Sequence, residues 1–286
     1  MSKLIQRLLI FFIGLPLVLF IVYLPAYNHL ALNIAIVIVC FISSLEAYNI
    51  MKSNSEMQSK FLVIFLSTCI SISSLICSLT GIDYLLTTFV FICAFLILLT
   101  KEVFSANKSN LPSEQLFQDS NKKITSSLFV LVYGGYLLTF LSRMSVLKNS
   151  TPYLLVFLMM VFICDSFAWF FGICFGKNNR GFFKASPNKS LIGFFGGILG
   201  SILSGILGYY LWPEVFSGSI IKMIILGFIV AISAIIGDLA ESVLKRSAKI
   251  KDSGAIIPGR GGILDSIDSI LMAVPFYYFI IIAMFE

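Results

Sequence analysis

The chain has 286 residues, of which 58% are hydrophobic and only 12% charged, and its mean hydropathy is +0.99. Soluble globular domains carry about 25% charged residues and about 45–50% apolar ones, so a soluble enzyme or binding module is excluded and an integral membrane protein is indicated. The net charge of +6 comes from basic residues gathered between apolar stretches, which suits membrane-flanking loops and gives no reason to expect a nucleic-acid partner.

Apolar runs of about 20 residues, the length that carries a helix across roughly 30 Å of hydrocarbon, recur from end to end. The expected fold class is therefore all-α and polytopic. Nine spans are predicted, at residues 4–24, 29–50, 61–79, 82–100, 124–142, 152–176, 191–211, 218–240 and 263–284. The first, preceded by Lys3 and Arg7, has the outline of a secretory signal. It is too long for an ordinary signal core and lacks a clear small-x-small cleavage site, so it is read as a retained helix. The only histidine, His29, falls at the outer end of the second span and is not a catalytic candidate. Thr80 to Ile82 alone separate the third and fourth spans, predicting a tight hairpin. All six cysteines lie inside apolar runs, without the polar-loop pairing of a disulfide framework or zinc site, and are read as small core residues. Residues 1–123 are expected to be structural, lipid-facing helices and 124–286 a catalytic membrane domain.

Seventeen of the 20 basic residues fall on one side of this nine-span arrangement, leaving Arg143, Lys148 and Lys222 on the other. The positive-inside rule then places the N-terminus and the four basic loops in the cytoplasm and Glu286 outside.

Ionisable residues inside spans are costly and require a reason. Asp165, in VFICDSFAWFFG of the sixth span, must face protein, water or an ion; a structural helix contact is its bland alternative. The loop GKNNRGFFKASPNKS is basic, and within it Ser186 and Lys189 are the functional candidates because SPNKS immediately precedes the Gly-rich seventh span, whose glycines suit close helix packing. The densest cluster is GDLAESVLKRSAKIKDSGAIIPGRGGILDSID, residues 237–268. If the eighth helix continues past the membrane surface, Asp238, Glu241, Ser242, Lys245 and Lys249 share one face, carboxylates deep and ammonium groups shallow. Asp265 and Asp268, three apart at the start of the ninth helix, can address one ion or substrate. Oxygen ligands without paired His or Cys favour a hard cation such as Mg²⁺. Between the acids, PGRGG lets the backbone approach a phosphate and present amide N–H groups to it.

These residues resemble the phosphatidate cytidylyltransferase (CDP-diacylglycerol synthase) family. The resemblance rests on Ser242, Lys245 and Arg246, Lys251 and Asp252, Pro258, Gly261 and Gly262, then Asp265 and Asp268, with CDSFAWFFG and SPNKS upstream, so that motifs cover about residues 164–270. Three positions depart from the family pattern: Arg260 stands for the usual His, Ser266 for an Arg and Ile192 for a Glu. The resemblance implies transfer of CMP from CTP to phosphatidic acid, giving CDP-diacylglycerol and pyrophosphate at the inner (cytoplasmic) membrane. It also implies Mg²⁺ held by Asp238, Asp265 and Asp268, with a monovalent cation such as K⁺ beside it. Lys245, Arg246, Lys251 and the amides around Arg260, Gly261 and Gly262 would stabilise the leaving pyrophosphate, Ser186, Lys189 and Ser242 would contact substrate, and Asp165 would organise the lipid side. Expected partners are CTP, phosphatidic acid and membrane lipid, with a homodimer left open. A CTP-dependent polyprenol kinase and an ion-coupled transporter are the alternatives, the latter disfavoured by the lack of inverted repeats. A CDP-alcohol phosphotransferase is disfavoured because its Asp-Gly-x-x-Ala-Arg motif is missing.

Overall fold

The computed structural model describes residues 10–105, 115 and 117–286. Among these residues the only β-type pairings are two isolated bridges, Arg180 with Ser190 and Ile257 with Gly261. A π-helical turn, Ile10–Gly14, leads into α1 (Leu15–Tyr23), α2 (Ala26–Lys52), α3 (Lys60–Thr80) and α4 (Leu85–Ser105). Then follow α5 (Ser120–Val130), a π-helical segment (Leu131–Tyr136), α6 (Thr139–Ser145), α7 (Ser150–Cys174), α8 (Leu191–Leu211), α9 (Ile220–Ser247) and α10 (Leu264–Phe285).

From α5 to α6 the chain runs as one span, Ser120–Ser145, and with α2, α3, α4 and α7 to α10 it makes eight helices long and apolar enough to cross a membrane. They match the second to ninth predicted spans. The first predicted span, 4–24, begins outside the described residues; its described part is a shorter apolar helix ending at Tyr23. The protein is thus an all-α polytopic membrane protein. The predicted hairpin forms because α3 ends on Gly81 in the left-handed region, φ 71°, and the Asp83 side chain accepts from Leu85 N at 2.8 Å to start α4.

Water drives little association between helices in hydrocarbon, so close backbone approach and interhelical hydrogen bonds do the work. Ser44 Oγ and Ser67 Oγ lie 2.6 Å apart across α2 and α3. Ser43 Oγ donates to Gly134 O at 2.9 Å and Cys40 Sγ to Gly135 O at 3.4 Å, engaging two carbonyls of the π-helical segment. The glycines of α8 serve close packing: a Cβ at Gly193 would stand 2.8 Å from Ala168 O, and one at Gly200 3.0 Å from Ile163 O. All six cysteines are free thiols, three of them buried. The approach that matters most for the site is at Gly237, where a Cβ would stand 2.5 Å from Asp268 O. Only glycine lets α9 and α10 touch there, at the level of their acidic residues.

Candidate active site

That contact gathers carboxylates from three helices. Asp165 of α7, Asp238 of α9 and Asp268 of α10 lie within electrostatic reach of one another, and Glu241 of α9 lies beside Asp268. Lys189, from the turn before α8, forms an ion pair with Asp238 Oδ2. Lys245, one turn beyond Glu241, donates to Glu241 Oε2 and to Asp265 Oδ1, both at 2.5 Å. The stripe of deep carboxylates and a shallower ammonium on α9 is therefore present as far as Lys245. It does not extend to Lys249: α9 ends at Ser247, Ile250 N closes onto Lys245 O at 3.0 Å, and Lys249 turns left-handed with φ 57°.

Asp265 and Asp268 do not act as a pair. Asp265 has both oxygens committed, Oδ1 to Lys245 and Oδ2 to Ser253 N (2.8 Å), Ser253 Oγ (2.9 Å) and Gly262 N (2.7 Å). In this geometry it holds the loop and Lys245. Asp268 is 7% exposed; its Oδ1 accepts from Ser269 N at 2.6 Å, and no cation lies within ion-pair distance of it among the described residues.

The glycine loop also differs from the expectation that its amides face a phosphate. Arg260 N and Gly261 N both donate to Ile257 O, at 3.1 and 3.0 Å, and Gly262 N donates to Asp265. A short tight turn can satisfy its own donors, and this one does so with Gly259 at φ 77° and Gly261 at φ 119°. What the loop presents outward is the exposed Arg260 side chain.

The remaining predicted residues scatter. Arg246 donates to Ala185 O and Ile250 O, each at 3.3 Å, bracketing the two loops together. Lys251 is exposed and Ser242 buried. Ser186 takes part in the turn that delivers Lys189, accepting from Lys189 N at 3.1 Å through its carbonyl. Two residues, Tyr133 and Glu46, escape the sequence reading, and Glu241 enters it only as a member of the α9 stripe, with no role given. Glu241 is fully buried, with Oε1 lacking a hydrogen-bond partner among the described residues. Tyr133, on the π-helical segment, has a buried hydroxyl without a partner within reach of the charges of Asp268, Glu241 and Asp238. Glu46 of α2 accepts from the start of α10. Intramembrane ionisable residues are functional candidates by default, and applying that rule to SSLEAYN would have flagged Glu46; nothing local marks Tyr133.

Asp165 also opens onto a cavity of about 1350 Å³. Its walls are apolar, drawn from α1, α2, α7 and α10 through residues such as Val22, Ile36, Leu158 and Ile270, while Asp165, Ser166, Arg260 and Ser266 are polar positions on its lining. Arg260 acts on Asp165 through its charge. Two of the three departures from the family pattern, Arg260 and Ser266, thus face the same space.

The donor chemistry can be tested against a divalent cation. Among the described residues no three His, Cys, Asp or Glu side chains converge tightly enough to hold a metal. Of the predicted trio, Asp265 is engaged by Lys245, Ser253 and Gly262, and Asp238 by Lys189. Mg²⁺ ordinarily takes only one or two carboxylates, completing its shell with phosphate oxygens and water. Asp238 and Asp268 supply two carboxylates, and Glu241 Oε1 beside them has no hydrogen-bond partner among the described residues.

The fold and this arrangement define a polytopic membrane protein whose charged centre adjoins an apolar cavity of about 1350 Å³. Sequence comparison agrees with the motifs: the Cytidylyltransferase family pattern matches residues 5–284, and the chain belongs to that family. It is 37% identical over 149 residues to the phosphatidate cytidylyltransferase of Helicobacter pylori, covering 51% of this chain and 53% of that protein. The Synechocystis protein of that name is 33% identical over 191 residues, 56% and 62% of the two chains, and the Thermotoga maritima one 34% over 188 residues, 65% and 67%. The first of these matches therefore spans about half the length of the relative.

Proposed function

We propose that the protein transfers CMP from CTP to phosphatidic acid, giving CDP-diacylglycerol and pyrophosphate. One observation carries this reading: Asp165 belongs both to the lining of a large apolar cavity and to the carboxylate–lysine cluster. An amphiphile with its acyl chains in the cavity would have its phosphate at Arg260 and Asp165, beside the charged centre. A phosphate oxygen of the lipid attacks the α-phosphorus of CTP; the new P–O bond forms as the α–β bridge breaks, and pyrophosphate leaves with the electron pair. Such transfer depends on alignment and charge compensation more than on proton transfer. Arg260 holds the lipid phosphate through its planar fork of donors. Lys189 and Lys245 offset charge on the triphosphate side, and Asp165 acts on the Arg260 guanidinium through its charge. Asp238 and Asp268 would hold Mg²⁺, which would supply charge neutralisation to the triphosphate, and Glu241 Oε1 would be an acceptor for a monovalent cation.

Asp265 and the loop keep Lys245 in place. The active site opens on the cytoplasmic side, with Glu286 outside, on the strength of the asymmetry of basic residues. Purified protein in detergent, given phosphatidic acid, CTP and Mg²⁺, is expected to form CDP-diacylglycerol and pyrophosphate; formation of a phosphorylated polyprenol and CDP from a polyprenol acceptor instead would replace this reading with the kinase one. In intact cells, a cysteine at position 255 should be labelled only from the cytoplasm and one appended after Glu286 only from outside. Labelling of both from the same side refutes the orientation.

A further inference from the structure

Glu46 lies on α2, among the helices expected to be structural, yet its carboxylate is 5% exposed and turned to the start of α10. Oε1 accepts from Ile263 N at 3.1 Å, and Oε2 from Leu264 N at 2.8 Å and Ser253 Oγ at 3.0 Å. Ile263 and Leu264 are the N-cap and first residue of α10, so an anion supplied by a distant helix meets the free amides and positive dipole end of the helix bearing Asp265 and Asp268. Glycine is required where the carboxylate enters: a Cβ at Gly254 or Gly262 would collide with Glu46 oxygens. Among the described residues no Lys or Arg lies within ion-pair distance of Glu46. Ser253 Oγ stands between two carboxylates, 3.0 Å from Glu46 and 2.9 Å from Asp265 Oδ2. Asp265 in turn holds Lys245, which bonds Glu241.

We infer that Glu46 is a positioning residue for the transfer reaction: through the α10 cap and Ser253 it fixes Asp265, and through Asp265 the Lys245 ammonium, against the carboxylate centre. The inference rests on the proposed reaction for its kinetic test. It does not require Glu46 to touch substrate, so its removal changes turnover and leaves binding intact. Glu46→Gln preserves size but turns an NH₂ group toward backbone N–H donors. In the full-length protein kcat is expected to fall about 10- to 100-fold, the usual effect of losing a group that orients a functional side chain, with KM for CTP and phosphatidic acid each within about threefold. Combined with Asp265→Asn, the loss should be no larger than that of the more damaging single variant, again within about threefold, because both act through one chain of contacts. Wild-type kcat in Glu46→Gln, a loss confined to KM, or multiplying losses in the double variant overturns the inference. Should Glu46→Gln not fold, Ser253→Ala, which removes only the hydroxyl between the carboxylates, must lower kcat at least about fivefold without raising either KM beyond threefold; an unchanged kcat overturns it. Hydrogen exchange at amides 263 and 264 separates this from the proposed reaction. If wild-type protein has no cytidylyltransfer activity, the reaction falls, while at least about tenfold faster exchange in Glu46→Gln still reads the cap; unchanged exchange removes the cap itself.

Discussion

The N-terminal helices α1 to α6 and the C-terminal quartet α7 to α10 arrange their buried acids in different ways. In the N-terminal part the buried polar side chains are mainly serines, such as Ser43, Ser44, Ser67 and Ser74, and most hydroxyls find a carbonyl or a second hydroxyl on their own or a neighbouring helix. Such contacts let backbones approach and cost little. The quartet also buries mainly serines, and each part buries two acids, but those of the quartet, Glu241 and Asp268, lie beside one another, with Lys245 between Glu241 and Asp265. Carboxylates at that depth are costly unless compensated, and their concentration is what supports placing the proposed chemistry there. The division is not absolute. Glu102 is held by Gln58 Nε2 at 2.9 Å and Ser120 Oγ at 3.1 Å among α3 to α5, whereas Glu46 and Tyr133 reach across to the quartet. A helix can be framework by composition and still deliver one decisive side chain.

The sharpest way to break this comparison is Asp268→Asn, which keeps an acceptor for Ser269 N but removes a charge from the centre. Turnover is expected to fall at least about a hundredfold, the scale of a principal electrostatic stabiliser, with elution on size exclusion unchanged. Near-normal kcat would mean that the buried charge of the quartet is framework too.

A smaller effect is expected at Arg260. Loss of a charge-assisted phosphate contact is worth about 1.5–3 kcal/mol, so Arg260→Ala should raise KM for phosphatidic acid about 10- to 100-fold and leave KM for CTP unchanged. Because residue 266 faces the same cavity, Arg260→His combined with Ser266→Arg should recover most of that loss by supplying the guanidinium from α10. A rise in KM for CTP alone would move Arg260 to the nucleotide side.

The smallest effect belongs to Lys251, which is exposed and forms no ion pair among the described residues. Exposed charge contacts contribute about 0.2–1 kcal/mol, so Lys251→Ala should raise KM for CTP less than about sixfold and leave kcat unaltered, with the residual effect shrinking at high salt. A large kcat loss would show that the loop closes over substrate.

The spans were legible in the sequence because a helix in hydrocarbon must satisfy its own backbone and needs a minimum apolar length. That demand is local, and α8 occupies the predicted residues 191–211 without shift. The acids were legible for a related reason, since each lies where a charge is expensive, and the α9 stripe followed from helical periodicity. Periodicity states which residues share a face, not what that face meets. Tertiary structure decided that Asp268 joins Asp238 while Asp265, one turn earlier, is saturated by Lys245, Ser253 and Gly262. It decided that the loop amides turn inward and leave the Arg260 side chain for the cavity. It also decided that α10 takes its cap from Glu46, more than 200 residues away along the chain. Hydrogen-bond partners that distant are set by which helices pack together, and here that packing turns on glycines such as Gly237 and Gly262, whose lack of a side chain reveals its purpose only once the neighbouring backbone is in place.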